Sequence, residues 1–233
     1  MANDKGYVNP QLLVSAKELI GSLNGGTMCV VDTRPTHEYV AGHIPGAIHL
    51  DVFGISLNDT SETPFKAFMW TIAYLFQSRG VDPKQTIVWY ENTAGVRAAR
   101  GFWFCEYFGH DDVKVLDGGF KAWVAAGGPV STEGVEPSAV SSFLTETRPE
   151  SHIDADAIHA LLGQADFAVL DTRSADEHYA RVARAARGGA IPGSIHIEWT
   201  NNLDSQGAFK PAADLRAMYE AAGVTPEKRV MCY

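Results

Sequence analysis

The chain has 233 residues, of which 45% are hydrophobic and 20% charged, and its formal net charge is -9 at pH 7. This length and composition suit two modest soluble domains, and the negative charge argues against general nucleic-acid binding. No stretch of the sequence is long and apolar enough to span a membrane, and Met1–Tyr7 lacks the basic and apolar regions of a signal peptide, so we expect a cytoplasmic protein with no membrane partner.

Short apolar strands alternate with helical patterns through the first half of the chain. Ser15 is a candidate N-cap for the first helix. Because strands that alternate with helices form parallel sheets, the pattern predicts an α/β domain. The predicted strands are Met28–Val31, Thr86–Tyr90 and Val113–Leu116, and the predicted helices are Pro64–Arg79, Arg97–Phe108 and Phe120–Ala126.

The second half of the chain repeats the first. The Asp-Thr-Arg run that begins at Asp32 recurs at Asp171, and Asp154 takes the place of the Ser15 cap. The period is far too long for a solenoid, so the repeat indicates a duplicated globular domain. The aligned segments are Val14–Glu38 with Ile153–Glu177, Ile44–His49 with Ile191–His196, and Gly80–Tyr90 with Gly223–Tyr233.

A segment rich in Gly, Pro and Ser separates the two copies. It begins at Gly127 and runs to Ser138, and residues 141–150 extend the connection. We therefore expect a first domain at 1–130, a linker at 131–150 and a second domain at 151–233. Nothing in the second copy aligns with Glu91–Val130, so we expect that domain to be incomplete at Tyr233 and to continue beyond it.

Two motifs resemble those of rhodanese-like domains. The Asp-Thr-Arg run after an apolar strand, followed by Glu38 and Gly42–Ala47, is similar to their entry signature, and Leu116–Trp123 is similar to their closing signature. The tandem arrangement resembles the two-domain sulfurtransferases that use thiosulfate or 3-mercaptopyruvate. The resemblance implies an α/β fold of two domains, each a parallel sheet flanked by helices. It also implies a sulfurtransferase that moves a sulfane sulfur from a small anionic donor to a thiol or cyanide through a cysteine persulfide, without a cofactor or a metal.

The same resemblance identifies the position of the nucleophile. In that family the second domain bears a cysteine immediately after its Val-x-x-Tyr strand, and the first domain has usually lost it. Glu91 follows this strand in the first copy, and a carboxylate cannot carry a sulfane sulfur, so we expect an inert first domain. The catalytic cysteine is then expected immediately after Tyr233, and no residue of the printed sequence is predicted to be the nucleophile.

The cysteines of the sequence are odd in number and widely spaced. They form no CxxC pair, so neither a disulfide framework nor a zinc site is predicted. Cys232 aligns with Trp89 inside a strand, and we interpret it as a buried, inert thiol. Cys29 and Cys105 fall within a strand and a helix.

Several residues of the second copy are candidates for substrate binding or loop support. Asp171 and Arg173 end a strand, where they either support the active loop or only pair with each other. Trp199 follows the Ile191–His196 motif and is a candidate to line the cleft, although packing is the commoner role of such an aromatic residue. Ala190 replaces the histidine of the first copy, His43, which indicates that this histidine is structural where it is present.

An insertion in the second copy, His178–Gly189, carries a cluster of arginines. Arg181, Arg184 and Arg187 recur every third residue, which predicts one face of a helical segment. As a group they are candidates to attract an anionic donor, and the alternative is a solvated basic surface. Glu177 stands where some family members with mercaptopyruvate activity have an arginine, which favours thiosulfate as the donor.

Two other functions remain open at this point. Many rhodanese-like domains have lost their cysteine and serve as binding or regulatory modules, and a phosphatase has a related fold with a longer loop. The sequence contains no GxxxxGK[ST], HExxH or GxSxG motif. The residue after Tyr233 and the length of the following loop distinguish the three functions.

Overall fold

The structure, a computed structural model, describes residues 5–136, 138–140, 143 and 147–233. The chain divides into two compact units. The first contains Met1–His152 and Ser205–Phe209, and the second contains Ile153–Asp204 and Lys210–Tyr233. Positions 137, 141–142 and 144–146 of the predicted linker lie outside the described residues.

Over its described residues, the first unit is built on a five-stranded parallel sheet with the strand order β1-β5-β4-β2-β3. All three strands predicted from the sequence are confirmed, with one end extended by a residue at Asp32. The longest contact in the sheet joins β2 and β4, which run in register from Met28 opposite Thr86 to Asp32 opposite Tyr90. The strands are β1 Leu13–Val14, β2 Met28–Asp32, β3 Ile48–His49, β4 Thr86–Tyr90 and β5 Val113–Leu116.

Helices cover both faces of this sheet because successive strand residues point to opposite sides. Val31 and Trp89 belong to one hydrophobic cluster together with α3 and α4, and Val88 and Tyr90 belong to another together with α1 and α5. The strands are therefore apolar on both faces, as is typical of a parallel sheet. The helices are α1 Ala16–Ser22, α2 Thr36–Ala41, α3 Glu62–Arg79, α4 Val96–Tyr107 and α5 Gly119–Ala125.

The second unit repeats the centre of this arrangement. In the part of the chain that the structure describes, its three parallel strands have the order β7-β6-β8, which corresponds to β3-β2-β4 of the first unit. The predicted cap Asp154 accepts a hydrogen bond from the Ala157 N–H, just as Ser15 forms a capping box with Glu18 in the first unit. The elements are α6 Ala155–Leu161, β6 Phe167–Asp171, α7 Ala175–His178, β7 Ile195–His196, α8 Ala212–Ala221 and β8 Arg229–Cys232. The predicted α/β fold class is confirmed.

The segment that follows the closing helix packs against the first unit. Phe143 is buried and belongs to the same cluster as α3 and α4. The Val140 N–H donates to the carbonyl of Gln77, and the Arg148 N–H donates to the carbonyl of Tyr107. This stretch therefore contributes to the core of the first unit although it lacks helix and strand periodicity. Within the described ranges, no helix has both the length and the hydropathy needed to cross a bilayer.

Candidate active site

Asp32 and Arg34 form an ion pair at the carboxyl end of β2 in the first unit. Both Asp32 oxygens accept hydrogen bonds from the Arg34 side chain, the shortest from Nη2 to Oδ2 at 2.6 Å. The same Arg34 Nη2 donates to the carbonyl of Gly42 at 2.7 Å. Tyr90, at the end of the neighbouring β4, donates its hydroxyl proton to Asp32 Oδ2 at 2.6 Å and accepts from the Ile44 N–H at 3.2 Å. The pair thus links two strand ends and the loop that follows α2.

The second unit builds the same network from the repeated residues. Arg173 donates from Nη2 to Asp171 Oδ2 at 2.7 Å and to the carbonyl of Gly189 at 2.9 Å. The Tyr233 hydroxyl accepts from the Ile191 N–H at 2.9 Å. The N–H of Thr172 donates to the carbonyl of Tyr233 at 2.9 Å, as that of Thr33 donates to Tyr90 in the first unit at 3.0 Å. The two copies therefore hold Tyr90 and Tyr233 in equivalent positions.

In the first unit, the residue after this tyrosine is folded onto the start of a helix. Glu91 Oε1 accepts from the backbone N–H of Arg97 at 2.7 Å and of Ala98 at 3.4 Å, in the first turn of α4. Burial raises the pKa of Glu91, and the two N–H donors offset part of that rise. Since N–H groups in the first turn of a helix stabilise a negative charge, the start of α4 is a favourable position for this carboxylate.

The loop that carries Glu91 is closed by the Gly118–Gly119 turn of the closing motif. The Phe120 N–H donates to the carbonyl of Glu91 at 2.7 Å. A Cβ atom on Gly119 would lie 2.4 Å from the Glu91 carbonyl oxygen and 2.6 Å from the backbone N of Thr93. Only glycine fits this contact, which lets the Gly118–Gly119 turn pack directly on the loop after β4.

The carboxylate of Asp171 has one partner that Asp32 lacks. His178 Nδ1 lies 2.9 Å from Asp171 Oδ2, and the His178 ring stacks on His196 with centroids 4.4 Å apart. Burial by itself would raise the pKa of Asp171, but hydrogen bonds from Arg173, His178 and Tyr233 hold it well below its ordinary value. Asp171 is therefore an anion throughout the physiological range of pH.

The prediction that the insertion is helical is wrong. Helix α7 ends at His178, and Ala180 has a left-handed backbone with φ of 60°, which turns the chain away from the helix axis. The N–H groups of Arg181 and Val182 then both donate to the carbonyl of Asp176. The insertion is an exposed irregular loop, and the three-residue spacing of its arginines does not place them on one helical face.

The charges of the insertion are partly neutralised by neighbouring carboxylates. Arg181 pairs with Asp176 and Arg184 pairs with Glu177, each at 3.0 Å. Among the described residues, Arg187 has no ion-pair partner. Both pairs involve exposed arginines and contribute little to stability. The loop therefore keeps a positive excess that is smaller than its three arginines alone suggest.

Trp199 lies at the same strand edge as the Asp171–Arg173 pair. It begins a short 3-10 helix, Trp199–Asn202, and its N–H donates to the carbonyl of Thr172 at 2.9 Å. Its side chain is half-buried. The structure thus brings together three of the predicted residues, Asp171, Arg173 and Trp199, at the carboxyl end of β6, next to Tyr233 at the end of β8.

None of the cysteines in the sequence is an activated thiol. Burial raises the pKa of Cys29 to about 11 and raises that of Cys105 further still. Cys232 lies inside β8 as predicted, and its surface is exposed over the described residues. Partial desolvation by neighbouring atoms nevertheless raises the pKa of this thiol as well. Over the described residues, no group of His, Cys, Asp and Glu side chains is arranged to hold a metal ion.

The chain matches known proteins along most of its length. Residues 15–126 match the family described as rhodanese-like domain. The chain is 30% identical over 223 residues to a thiosulfate sulfurtransferase of Pseudomonas aeruginosa, a match that covers 95% of this chain and 82% of that protein. The chain belongs to the rhodanese-like sulfurtransferases. It is accordingly an enzyme that transfers sulfur from a donor to an acceptor.

Other relatives of this sulfurtransferase agree with the assignment. A thiosulfate sulfurtransferase of Azotobacter vinelandii is 29% identical over 227 residues, covering 97% of this chain and 83% of the relative. The sulfur carrier protein TtuD of Thermus thermophilus is 30% identical over 243 residues, covering 98% and 84%. Both matches run through the two copies of the repeat.

Solved structures support the fold. An anaerobic ergothioneine biosynthesis enzyme from Chlorobium limicola, in complex with trimethyl histidine, superposes with a TM-score of 0.81 at 23% sequence identity. The superposition covers 97% of the sulfurtransferase chain and 61% of the neighbour, so this chain spans about three-fifths of the length of that structure. The wild-type structure of EanB gives a TM-score of 0.80 with 97% and 60% coverage.

Reasoning from the sequence missed the contact between His178 and Asp171. The repeat contains one clue, because Tyr39 of the first copy aligns with His178 of the second. Tyr39 donates its hydroxyl to the carbonyl of Ala47 at 2.9 Å and leaves Asp32 to Arg34 and Tyr90. The replacement of this tyrosine by a histidine, close to the repeated Asp171, is the sequence signal for the contact.

Proposed function

We propose that this protein transfers a sulfane sulfur from thiosulfate to a thiol or cyanide through a persulfide on a cysteine directly after Tyr233. The observation that carries the proposal is the equivalence of Tyr90 and Tyr233. Both are fixed by the same Asp-Thr-Arg network, and in the first unit the next residue, Glu91, places an anion on the N–H groups of a helix. The first unit then serves as the inert copy of the active one.

The chemistry needs an anionic sulfur at that position. A thiolate attacks the outer sulfur of the donor and keeps it as a persulfide, and a second nucleophile removes it in a separate step. Inward-pointing N–H groups and the start of a helix stabilise the thiolate and lower its pKa. Glu91 illustrates this geometry, since its carboxylate accepts hydrogen bonds from two such N–H groups in the inert copy.

Three features support thiosulfate over 3-mercaptopyruvate. Relatives that span most of the chain carry the name thiosulfate sulfurtransferase. The position at which an arginine would bind a carboxylate donor is occupied by Glu177. Its carboxylate accepts from Ser174 in a capping box and pairs with Arg184. The insertion with Arg181, Arg184 and Arg187 adds a positive surface for a small dianion. We further propose that the reaction takes place in the cytoplasm.

The covalent intermediate provides the direct test. After incubation with thiosulfate, intact mass spectrometry of the whole protein should show a gain of one sulfur atom. The gain should persist in Cys232→Ser and in Glu91→Ala, because both side chains lie outside the proposed chemistry. Glu91→Ala should lower the stability of the first unit by about 1 kcal/mol, as expected for loss of a helix cap.

Two results would contradict this proposal. Loss of the added sulfur in a folded Cys232→Ser protein would show that the nucleophile is one residue earlier. The absence of any added sulfur in the unmodified protein, with thiosulfate and with other sulfane donors, would favour a non-catalytic binding module.

The arginines of the insertion should affect donor binding more than turnover. Replacing Arg181, Arg184 and Arg187 together by Gln should raise KM for thiosulfate about three- to tenfold at low ionic strength, because the loop attracts the anion before and during reaction alike. The change in kcat should be small. Steady-state kinetics over a series of salt concentrations checks this, since screening should reduce the difference.

A matched control removes the same charge elsewhere. Lys17, Lys84 and Lys121 are exposed lysines of the first unit, and their replacement by Gln changes the net charge equally. Equal KM values for the two triple variants would show that the arginines of the insertion affect donor binding no more than other surface charges do.

A further inference from the structure

A short segment from the second half of the sequence belongs to the first unit. It is Ser205–Phe209, which lies in the chain between the 3-10 helix Trp199–Asn202 and α8. It contacts two parts of the first unit, namely the loop that joins β4 to α4 and the turn that precedes α5. The segment is therefore placed at the edge of the sheet where β4 and β5 end.

The loop after β4 gives the segment a backbone hydrogen bond. The N–H of Ala94, which is buried, donates to the carbonyl of Gly207 at 2.8 Å. The N–H groups of Arg97 and Ala98, at the start of α4, donate to the Glu91 carboxylate. The carboxyl ends of parallel strands and the start of a helix are where α/β proteins bind ligands. In the first unit these three N–H groups are therefore occupied by oxygens of the chain itself.

The end of the segment is held by a carboxylate of the closing motif. Asp117 Oδ1 accepts from the Phe209 N–H at 2.8 Å, and Asp117 Oδ2 pairs with Lys5 Nζ at 2.5 Å. Lys5 Nζ also donates to the carbonyl of Phe209 at 2.6 Å. Both backbone polar groups of Phe209 thus bond to a charged side chain, and such bonds are stronger than those between neutral groups.

The segment fits the loop closely at one glycine. Gly207 has a left-handed backbone with φ of 79°, and a Cβ atom there would lie 2.5 Å from Thr93 Cγ2 and 2.8 Å from Thr93 Cβ. A Cβ atom on Gly118 would lie 3.5 Å from the Cβ of Ala208, which is an ordinary contact. Only glycine combines this backbone conformation with so close an approach. The fit between the loop and the segment therefore depends on position 207.

Polar bonds and shape, rather than core burial, hold the segment. None of the residues of Ser205–Phe209, all of which the structure describes, is buried, and none belongs to either hydrophobic cluster of the first unit. The apolar area that stabilises the first unit lies elsewhere, so release of the segment leaves that core intact. The segment is thus attached as a bound peptide is, through its main chain.

We propose that the loop after β4 of the first unit is a binding site for Ser205–Phe209, which is its intramolecular peptide ligand. The Ala94 N–H and the Asp117 carboxylate bind the backbone of the segment, and Thr93 selects glycine at position 207. The first unit thereby has a binding function of its own, although no cysteine follows its β4. The inference is independent of the persulfide chemistry, since neither a sulfur donor nor the reacting cysteine takes part in it.

Hydrogen exchange of the whole protein, followed by NMR, tests this site. The Ala94 and Phe209 amides report the two bonds of the segment, and the amides of β2 report the fold of the first unit. Gly207→Ala introduces the Cβ atom that collides with Thr93, and Thr93→Gly removes both atoms of that collision. Gly127→Ala is the matched control, because its φ of 77° is equally left-handed and its Cβ atom would meet nothing within 4 Å.

We expect Gly207→Ala to speed up exchange of the Ala94 and Phe209 amides about tenfold more in the parent protein than in Thr93→Gly, in line with the usual size of an overpacking effect. The amides of β2 should keep their protection in every variant. Gly127→Ala should leave exchange at Ala94 and Phe209 unchanged, because it adds nothing at the contact.

Equal acceleration by Gly207→Ala in the two backgrounds would overturn the proposal, because the segment would then not rest on Thr93. The same acceleration in Gly127→Ala would also overturn it, by assigning the effect to general backbone strain. Loss of protection in β2 together with Ala94 would show that the segment is part of the core and not a ligand. Exchange of the Phe209 amide at the rate of a free peptide in the parent protein would show that the site does not hold the segment in solution.

Discussion

Arg34→Ala should destabilise the first unit by about 3–5 kcal/mol, the cost of leaving a buried charge without its partner. The Arg34 and Asp32 side chains are 3% and 0% exposed, and Asp32 would keep only its bonds from the Tyr90 hydroxyl and from the backbone N–H of residue 34. Arg34 also packs against Phe120, with its guanidinium carbon 3.9 Å from the ring centroid. A loss of this size is a large part of the stability of one domain.

The repeat provides the comparison for this prediction. Arg173 makes the same bonds to Asp171, but Asp171 would keep the contact from His178 Nδ1 at 2.9 Å when Arg173 is removed. Arg173→Ala should cost about 1–3 kcal/mol. Urea unfolding followed by tryptophan fluorescence reports mainly on the first unit, which holds four of the five tryptophans, and hydrogen exchange of β2 and β6 reports on each unit separately. Similar losses in the two variants would contradict the compensating contact from His178.

Gly119→Ala should strongly destabilise the turn that packs on the loop of Glu91. The backbone at Gly119 is left-handed with φ of 60°, which costs an L-residue about 1–2 kcal/mol. The new Cβ would also meet three backbone atoms of Glu91 and Thr93 at 2.4–2.6 Å, and such overpacking costs about 1–3 kcal/mol more. Backbone atoms cannot move aside by rotating a side chain.

Gly46→Ala separates the cost of a left-handed backbone from the cost of the steric contacts. Gly46 has φ of 77° in the Ile44–His49 motif of the same unit, and a Cβ atom added there would meet nothing within 4 Å. This variant should lose only the cost of the left-handed backbone. Thermal unfolding of the two variants side by side measures the difference, and equal melting temperatures would show that the Gly119 turn relaxes freely.

The sequence predicts the elements that local apolar periodicity marks, and the features that the alignment of the two copies makes equivalent. Strand β4 and helix α4 follow from apolar periodicity, and the equivalence of Tyr90 and Tyr233 follows from the alignment of the copies. The ion pairs at Asp32 and Asp171 were recognisable because each carboxylate and its arginine are two residues apart and end a buried strand. These features need no knowledge of distant contacts.

Other features depend on contacts that periodicity does not encode. The insertion was predicted as helical from its arginine spacing, but the left-handed Ala180 and the bonds to the Asp176 carbonyl direct it into an irregular loop. Phe143 lies in a stretch without periodicity and still fills a core. His178 contacts Asp171 because α7 folds back over the end of β6, and seven residues of separation in the chain give no indication of this.

The insertion of the second unit is attached at both of its ends to one ion pair. His178, its first residue, bonds to Asp171, and the carbonyl of Gly189, its last residue, accepts from Arg173. The intervening residues can therefore change in length without moving either anchor, and each doubling of such a loop costs only about 0.6 kcal/mol of closure entropy. The length and charge of the segment between these anchors can therefore vary while the Asp171–Arg173 pair keeps its geometry.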